Sequence, residues 1–112
     1  MADCIFCEIA AGRAPARILF QDDQVVAFED VAPGAPVHVL VVPRRHLADA
    51  REVTEDGLLG HLFGAAHAVA ADKCVAESGY RLVFNVGPDA GQAVDHAHLH
   101  VLGGRALRWP PG

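Results

Sequence analysis

Three histidines alternate with three apolar residues in Asp95-His96-Ala97-His98-Leu99-His100-Val101. In an extended strand, alternate side chains share a face, with neighbours on it roughly 6–7 Å apart. His96, His98 and His100 are therefore expected on one face, with Ala97, Leu99 and Val101 turned into a core. The chain has only seven histidines in 112 residues, so coincidence is a poor explanation. Stacked imidazolium groups would also repel one another, a cost that an ordinary solvent face avoids. The plain alternative is a half-buried strand that happens to use histidine. Acid–base, nucleophilic or metal chemistry near neutral pH is the favoured reading, and the spacing alone does not choose among these.

A chain of this length is expected to form one domain, residues 1–112. Just over half of it is hydrophobic and only 6% is aromatic, so aliphatic residues must fill most of the core. A formal charge of −5 argues against a broad nucleic-acid surface, which should be basic, but leaves room for one nucleotide in a local pocket. No apolar run reaches the roughly 20 residues of a membrane span. The start lacks the basic and apolar regions of a secretory signal, so a cytoplasmic protein is expected. Three cysteines in a reducing compartment disfavour disulfides. Cys74 is expected to be a small buried residue.

Punctuation by Gly and Pro divides the chain. Asp3 is a candidate cap for a short helix carrying Ile5, Phe6 and Ile9, stopped at Gly12. Residues 17–21 and 24–29 read as a hairpin around Asp22-Asp23. Residues 31–37 are a loop, 38–42 a strand, and 44–51 a short helix. A long helix is expected over residues 55–78, capped by Thr54 and ended by Gly79. Its apolar stripe is Leu58, Leu59, Leu62, Phe63, Ala66, Val69 and Ala70. Residues 80–86 and 94–102 complete five strands around the loop 87–92. The pattern predicts an α+β fold with an antiparallel sheet, one long helix and one or two short ones.

Cys4 and Cys7 form a C-x-x-C. Two thiolates and two imidazoles would complete a tetrahedral zinc site, with His46 and one of the alternating histidines as candidates. The alternative is two buried thiols. A redox motif is disfavoured because no βαβ pattern surrounds it. His61 and His67 are given no role. His38 opens a strand after a Pro-Gly loop, a common place for functional side chains. Asp30 suits either a turn or a sugar diol. Asn85 and the glycine-bearing loop after it would suit a phosphate.

Taken together, the segment Gly91-Gln92-Ala93-Val94-Asp95 followed by His96-Ala97-His98-Leu99-His100-Val101-Leu102 resembles the histidine triad, or HIT, family. The resemblance is closest to its nucleotide-binding branch, the purine nucleoside phosphoramidases, and runs nearly end to end. Cys4-Ile5-Phe6-Cys7-Glu8-Ile9, Phe28-Glu29-Asp30 and His38-Val39-Leu40-Val41-Val42-Pro43-Arg44-Arg45-His46 carry it. So do Leu58-Leu59-Gly60-His61-Leu62, Gly79-Tyr80-Arg81 with Asn85, and Gly103-Gly104-Arg105 with Trp109-Pro110-Pro111-Gly112.

The resemblance implies a HIT fold whose five-stranded sheet joins that of a second copy into ten strands, a homodimer. It implies hydrolysis of nucleoside phosphoramidates such as AMP-lysine through a nucleotidyl-histidine, releasing nucleoside monophosphate and amine. By motif position His98 is the nucleophile, His100 holds phosphate oxygens and His38 belongs to the supporting proton network. Asp30 would bind the ribose hydroxyls. Ile5, Phe6, Ile9, Phe28, Val31 and Leu40 would surround the base. Asn85, Gly91 and Val94 would position ribose and phosphate, and Trp109 would lie near the partner's site. Relatives with this C-x-x-C look like a zinc-bearing subset, with ligands matching Cys4, Cys7, His46 and His96. Ala93 departs from the pattern, standing where close relatives have serine. A nucleotide-binding module with weak turnover is therefore a second expectation. Dinucleoside polyphosphate hydrolysis or nucleotidyl transfer is a third; the transferase branch has glutamine where this chain has His100.

Overall fold

The computed structural model describes residues 4–112. It is α+β, as expected: α1 (Ile5–Ala10), β1 (Ile18–Gln21), β2 (Val25–Glu29), β3 (Val37–Pro43), α2 (Asp56–Asp72), β4 (Tyr80–Phe84) and β5 (Leu99–Gly103). Two single 3₁₀ turns, Ala50–Glu52 and Pro88–Ala90, lie between them. The five strands form one antiparallel sheet in the order β1-β2-β3-β5-β4. The last strand thus inserts between β3 and β4, which brings its histidines to the centre of the sheet.

Alternation along the strands assigns the two faces. Val25, Ala27, Val39, Val41, Leu99 and Val101 face α2, where Leu58, Leu62, Ala65, Ala66, Val69 and Ala70 meet them. Val26, Phe28, Leu40 and Val42 face the other way and pack against Phe6 and Ile9 of α1. His100 pairs directly with Leu40, so it belongs to this second face. The long helix supports the sheet from behind, and the short helix helps to build the face that carries the histidines.

Several boundaries differ from the sequence expectation for physical reasons. Asp3 lies outside the described residues; the N-cap position of α1 is Cys4, whose sulfur accepts the Cys7 amide hydrogen. The hairpin turn needs no glycine because Asp22 Oδ1 accepts from the amides of Gln24 and Val25, both at 2.8 Å. α2 starts at Asp56 after Glu55, without a side-chain cap, so Thr54 is not its cap. It also ends well before Gly79. The Val75 amide donates to the Ala70 carbonyl and the Cys74 amide to that of Ala71, closing a Schellman turn. Cys74 supplies its left-handed residue, at φ 61°. Burial of Val75 against Ala70 favours this early stop, and it leaves Cys74 exposed rather than buried. Leu59 is also exposed, outside the core stripe.

The expected helix over residues 44–51 is replaced by the 3₁₀ turn at Ala50–Glu52, capped by Asp49. The histidine strand is shorter than expected, because residues 94–98 are held by other contacts. The Ala97 amide donates to the Leu47 carbonyl at 2.7 Å instead of joining the ladder.

Candidate active site

The three histidines still point to the α1 side, but their environments separate them. His98 is buried, and its Nδ1 lies 2.7 Å from the backbone oxygen of His96. A carbonyl can only accept, so Nδ1 carries a hydrogen, and in the neutral ring the lone pair sits on Nε2. That is the tautomer a nitrogen nucleophile needs. Phe6 stacks edge-on to the His98 ring with centroids 5.2 Å apart.

His100 connects to His38 and Asp30. The Gly34 amide donates to His38 Nδ1 at 2.8 Å, so the hydrogen of a neutral His38 must sit on Nε2. That Nε2–H donates to His100 Nδ1 at 2.8 Å and lies 3.3 Å from Asp30 Oδ2. His100 then carries its own hydrogen on Nε2, which faces Asn85 Nδ2 at 3.5 Å. Both of these nitrogens are donors, so together they present a site for one anionic oxygen. Asp30 is itself fixed, with Oδ1 accepting from the Ala32 amide at 2.8 Å.

Burial is the leading cause that pushes His100 down to about 4, with His98 and His38 adding to it and Asp30 opposing. Burial likewise lowers His38, against the pull of Asp30. Both rings are therefore neutral at pH 7, as the hydrogen-bond chain requires.

His96 turns to a different set of neighbours. It is fully buried, and its Nε2–H donates to the Pro43 carbonyl at 2.8 Å. Its Nδ1 lone pair then faces Cys4 Sγ at 3.3 Å and Cys7 Sγ at 3.5 Å. His46 Nδ1 lies 3.2 Å from Cys7 Sγ. One ligand atom from each of Cys4, Cys7, His46 and His96 lies within 4.8 Å of all the others. Donor atoms around a tetrahedral zinc ion stand roughly 3.3–3.8 Å apart, so this cluster fits one. A histidine ligand backed by a carbonyl is the usual outer support of such a site. Burial, then the Cys4 thiol, raises the Cys7 pKa; a bound cation would reverse that penalty.

The expected base-contacting residues divide. Phe6, Ile9, Phe28, Leu40 and Val94 come together in one apolar cluster. Phe6 and Phe28 meet edge-on at 5.5 Å. Ile5 and Val31 lie outside it, 49% and 97% exposed. Gly91 ends the turn Pro88–Ala90 at φ 83°, where a side chain would be strained. Trp109 is 81% exposed and buries little of itself on its own chain.

Sequence reasoning did not single out the backbone partners: the Gly34 amide and the carbonyls of Pro43 and His96. Nor did it assign Gln92, whose side chain binds the Gly87 amide and the carbonyls of Ala48 and Val94. Gln92 thereby fixes the loop that leads into the histidines. The Gly91-Gln92 pair beside a phosphate-type loop was its only signal.

The HIT domain family model matches residues 11–107. An uncharacterised HIT-like protein of Synechococcus elongatus is 50% identical over 112 residues, covering 98% of this chain and 97% of that protein. A HIT family hydrolase from Legionella pneumophila superposes with a TM-score of 0.94 at 45% identity, covering 98% of this chain and 100% of that one. A histidine triad nucleotide-binding protein from Candida albicans superposes with a TM-score of 0.84 at 29% identity, covering 96% and 83% respectively.

Proposed function

Because this chain belongs to the HIT domain family, we propose that it is a nucleotide hydrolase that cleaves the phosphorus–nitrogen bond of purine nucleoside phosphoramidates such as AMP-lysine. The observation that carries the reading is the 2.7 Å bond from His98 Nδ1–H to the His96 carbonyl, which in the neutral ring puts the lone pair on Nε2.

His98 Nε2 attacks the α-phosphorus. The phosphorus–nitrogen bond breaks, its electron pair stays with nitrogen, and the amine leaves after taking a proton from solvent. A nucleotidyl-histidine remains. Water then attacks phosphorus and gives up a proton to solvent, the electron pair of the phosphorus–histidine bond returns to Nε2, and nucleoside monophosphate is released with His98 restored. Splitting one displacement into two lowers each barrier. His100 Nε2–H and the Asn85 amide hold the phosphoryl oxygens, where charge accumulates. His38 keeps His100 in the donating tautomer. Asp30 receives the ribose hydroxyls, and the apolar cluster around Phe6, Phe28 and Leu40 receives the base.

Cys4, Cys7, His46 and His96 would hold zinc in a closed four-ligand site, whose contribution is structural. The same reading includes a homodimer. β4 is an edge strand with an unpaired side, and pairing two such edges would make a ten-stranded sheet. The exposed Trp109 would then be free to reach the partner's site.

The test is to follow amine release from an adenosine phosphoramidate by wild type and His98→Ala. Loss of at least a thousandfold in the variant is expected, on the order of removing a covalent nucleophile. Equal rates would sink the assignment. Turnover by neither protein, with AMP still bound, would favour a binding module. That second reading is motivated by Ala93, which removes a hydroxyl beside the phosphate loop.

A further inference from the structure

Nine side chains carry a fixed positive charge. Arg13, Arg17, Arg45, Arg51 and Lys73 stand in ion pairs. Arg44 is held by the carbonyls of Ala10 and Asp22 and by Gln21 Oε1. Among the described residues, the remaining three, Arg81, Arg105 and Arg108, have no carboxylate within 4.0 Å. All three line one cavity of about 500 Å³. Like charges gathered in a chain of net charge −5 are costly unless something anionic answers them.

Their existing bonds hold them without neutralising them. Arg81 donates to the Arg108 carbonyl at 2.9 Å. Arg105 donates to the carbonyls of Gly34 at 3.1 Å and Ala106 at 3.0 Å. A guanidinium has five N–H donors, so most remain unused.

The cavity lies beside the chain of hydrogen bonds from Gly34 through His38 to His100. Gly34 lines it and also donates its amide hydrogen to His38. His38, Leu102 and Arg81 pair in one row across β3, β5 and β4, so all three project from the face that carries His100. Arg81 is the diagonal neighbour of His100, with Cβ atoms roughly 7–8 Å apart. A phosphoryl group on His98, with its oxygens held by His100, would have this cavity on its flank.

We propose that the cavity is the subsite for the departing group and that it recognises a carboxylate. This rests on the hydrolase reading above. The preferred substrates are then nucleoside phosphoramidates whose nitrogen is the amine of an amino acid with a free carboxylate. During cleavage the nitrogen takes the bond's electron pair and a proton, while the carboxylate stays ionised against the guanidinium groups. Planar, forked Arg–carboxylate pairing suits this role better than a point charge would.

The experiment uses two adenosine phosphoramidates, of alanine and of alaninamide, which differ only in the charged carboxylate. Binding is measured by calorimetry on the His98→Asn protein, so it does not depend on turnover. The alanine compound is expected to bind about tenfold tighter, a moderate value for charge-assisted bonds. That ratio should fall toward one in Arg81→Gln and Arg108→Gln, persist in part in Arg81→Lys, and stay put in the remote Arg17→Gln. Arg108 is exposed, and among the described residues no hydrogen bond involves its guanidinium, so its variant tests the idea even if Arg81→Gln misfolds. Equal binding of the two compounds, or a ratio that survives all the arginine changes, overturns the proposal. Wild-type turnover is read separately. Hydrolysis without discrimination removes the subsite and keeps the hydrolase. Discrimination without hydrolysis does the reverse.

Discussion

The ring of Phe6 meets His98 edge-on at 5.2 Å and meets His96 the same way at 5.9 Å. One side chain therefore touches both the candidate nucleophile and a candidate metal ligand. Phe6 sits in α1 between Cys4 and Cys7, so whatever tethers the two thiols also positions Phe6. α1 has only 6 residues and would be marginal without such a tether.

If Cys4, Cys7, His46 and His96 hold zinc as proposed, removing it should disturb both fold and turnover. At free zinc about a thousand times its Kd, binding adds about 4 kcal/mol of stability. That corresponds to a fall of roughly 15 °C in Tm on chelation, or in Cys7→Ser. The measurement is a thermal melt with and without chelator, alongside zinc analysis of reduced protein. An unchanged Tm for zinc-loaded and stripped protein would remove the structural role.

Phe6 can be tested apart from the metal. Phe6→Ala deletes a buried ring and should cost about 3 kcal/mol, the lower end for such truncations because α1 lies at the surface. Phe6→Leu keeps volume but loses the edge contacts, costing about 1 kcal/mol. Denaturant unfolding reads both values. KM should rise in both variants, since the ring also walls the apolar cluster proposed to receive the base. If zinc content and KM stayed at wild-type values in Phe6→Ala, the coupling through this ring would be wrong.

The strands and the two-faced packing were legible because period-two alternation survives in β2, β3 and β5. The zinc-type cluster was legible as ligand chemistry, and the resemblance named its members. What sequence could not supply was the work of the backbone. Residues 94–98 alternate like a strand, yet the Leu47 carbonyl and the contact of His96 with Cys4 take them out of the ladder. The end of α2 was misplaced because glycine is the usual left-handed residue, whereas here Val75 burial forces Cys74 into that role. The tautomers of His38, His96 and His98 all follow from main-chain groups at distant or local positions, which no residue pattern encodes.

The His38 relay makes a kinetic prediction. His38→Ala removes the Nε2–H that donates to His100 Nδ1, so His100 is no longer held with its hydrogen toward the phosphate. A loss of about 10- to 100-fold in kcat is expected, at the low end of a misplaced acid–base group. KM should change little, and His38→Gln, which retains a donor, should recover part of the loss. A Gln variant no better than Ala would argue that bulk, not donation, is what His38 supplies.

Stability should fall in weak acid. His100, at about 4, and His38 are both held below the ordinary histidine value, chiefly by burial. The unfolded chain titrates these groups near 6.5, so it binds more protons than the folded one as pH drops below that point. Stability is thus at its full value above about pH 6.5 and declines as pH falls toward 4. Denaturant midpoints between pH 7 and 5, where carboxylates titrate little, should show the slope, and His38→Gln should flatten it. A midpoint constant across that range would contradict the neutral relay.

Ala93 offers a gain-of-function test. It is exposed, one residue before Val94 of the apolar cluster and one after Gln92, which pins the loop. A hydroxyl there would enter solvent-accessible space beside the loop of residues 87–92 and would displace no core atoms. Ala93→Ser should therefore leave Tm within about 2 °C, as for an ordinary surface change. If the missing hydroxyl limits turnover, kcat should rise about tenfold or more, since one well-placed donor at developing phosphoryl charge is worth that much. The rise should appear in kcat more than in KM, because a donor that strengthens only as charge accumulates acts on the transition state. A lower KM at constant kcat would mean instead that the serine merely grips the ground state. No change in either would argue that His100 and Asn85 already supply the needed donors, and that Ala93 costs this chain nothing.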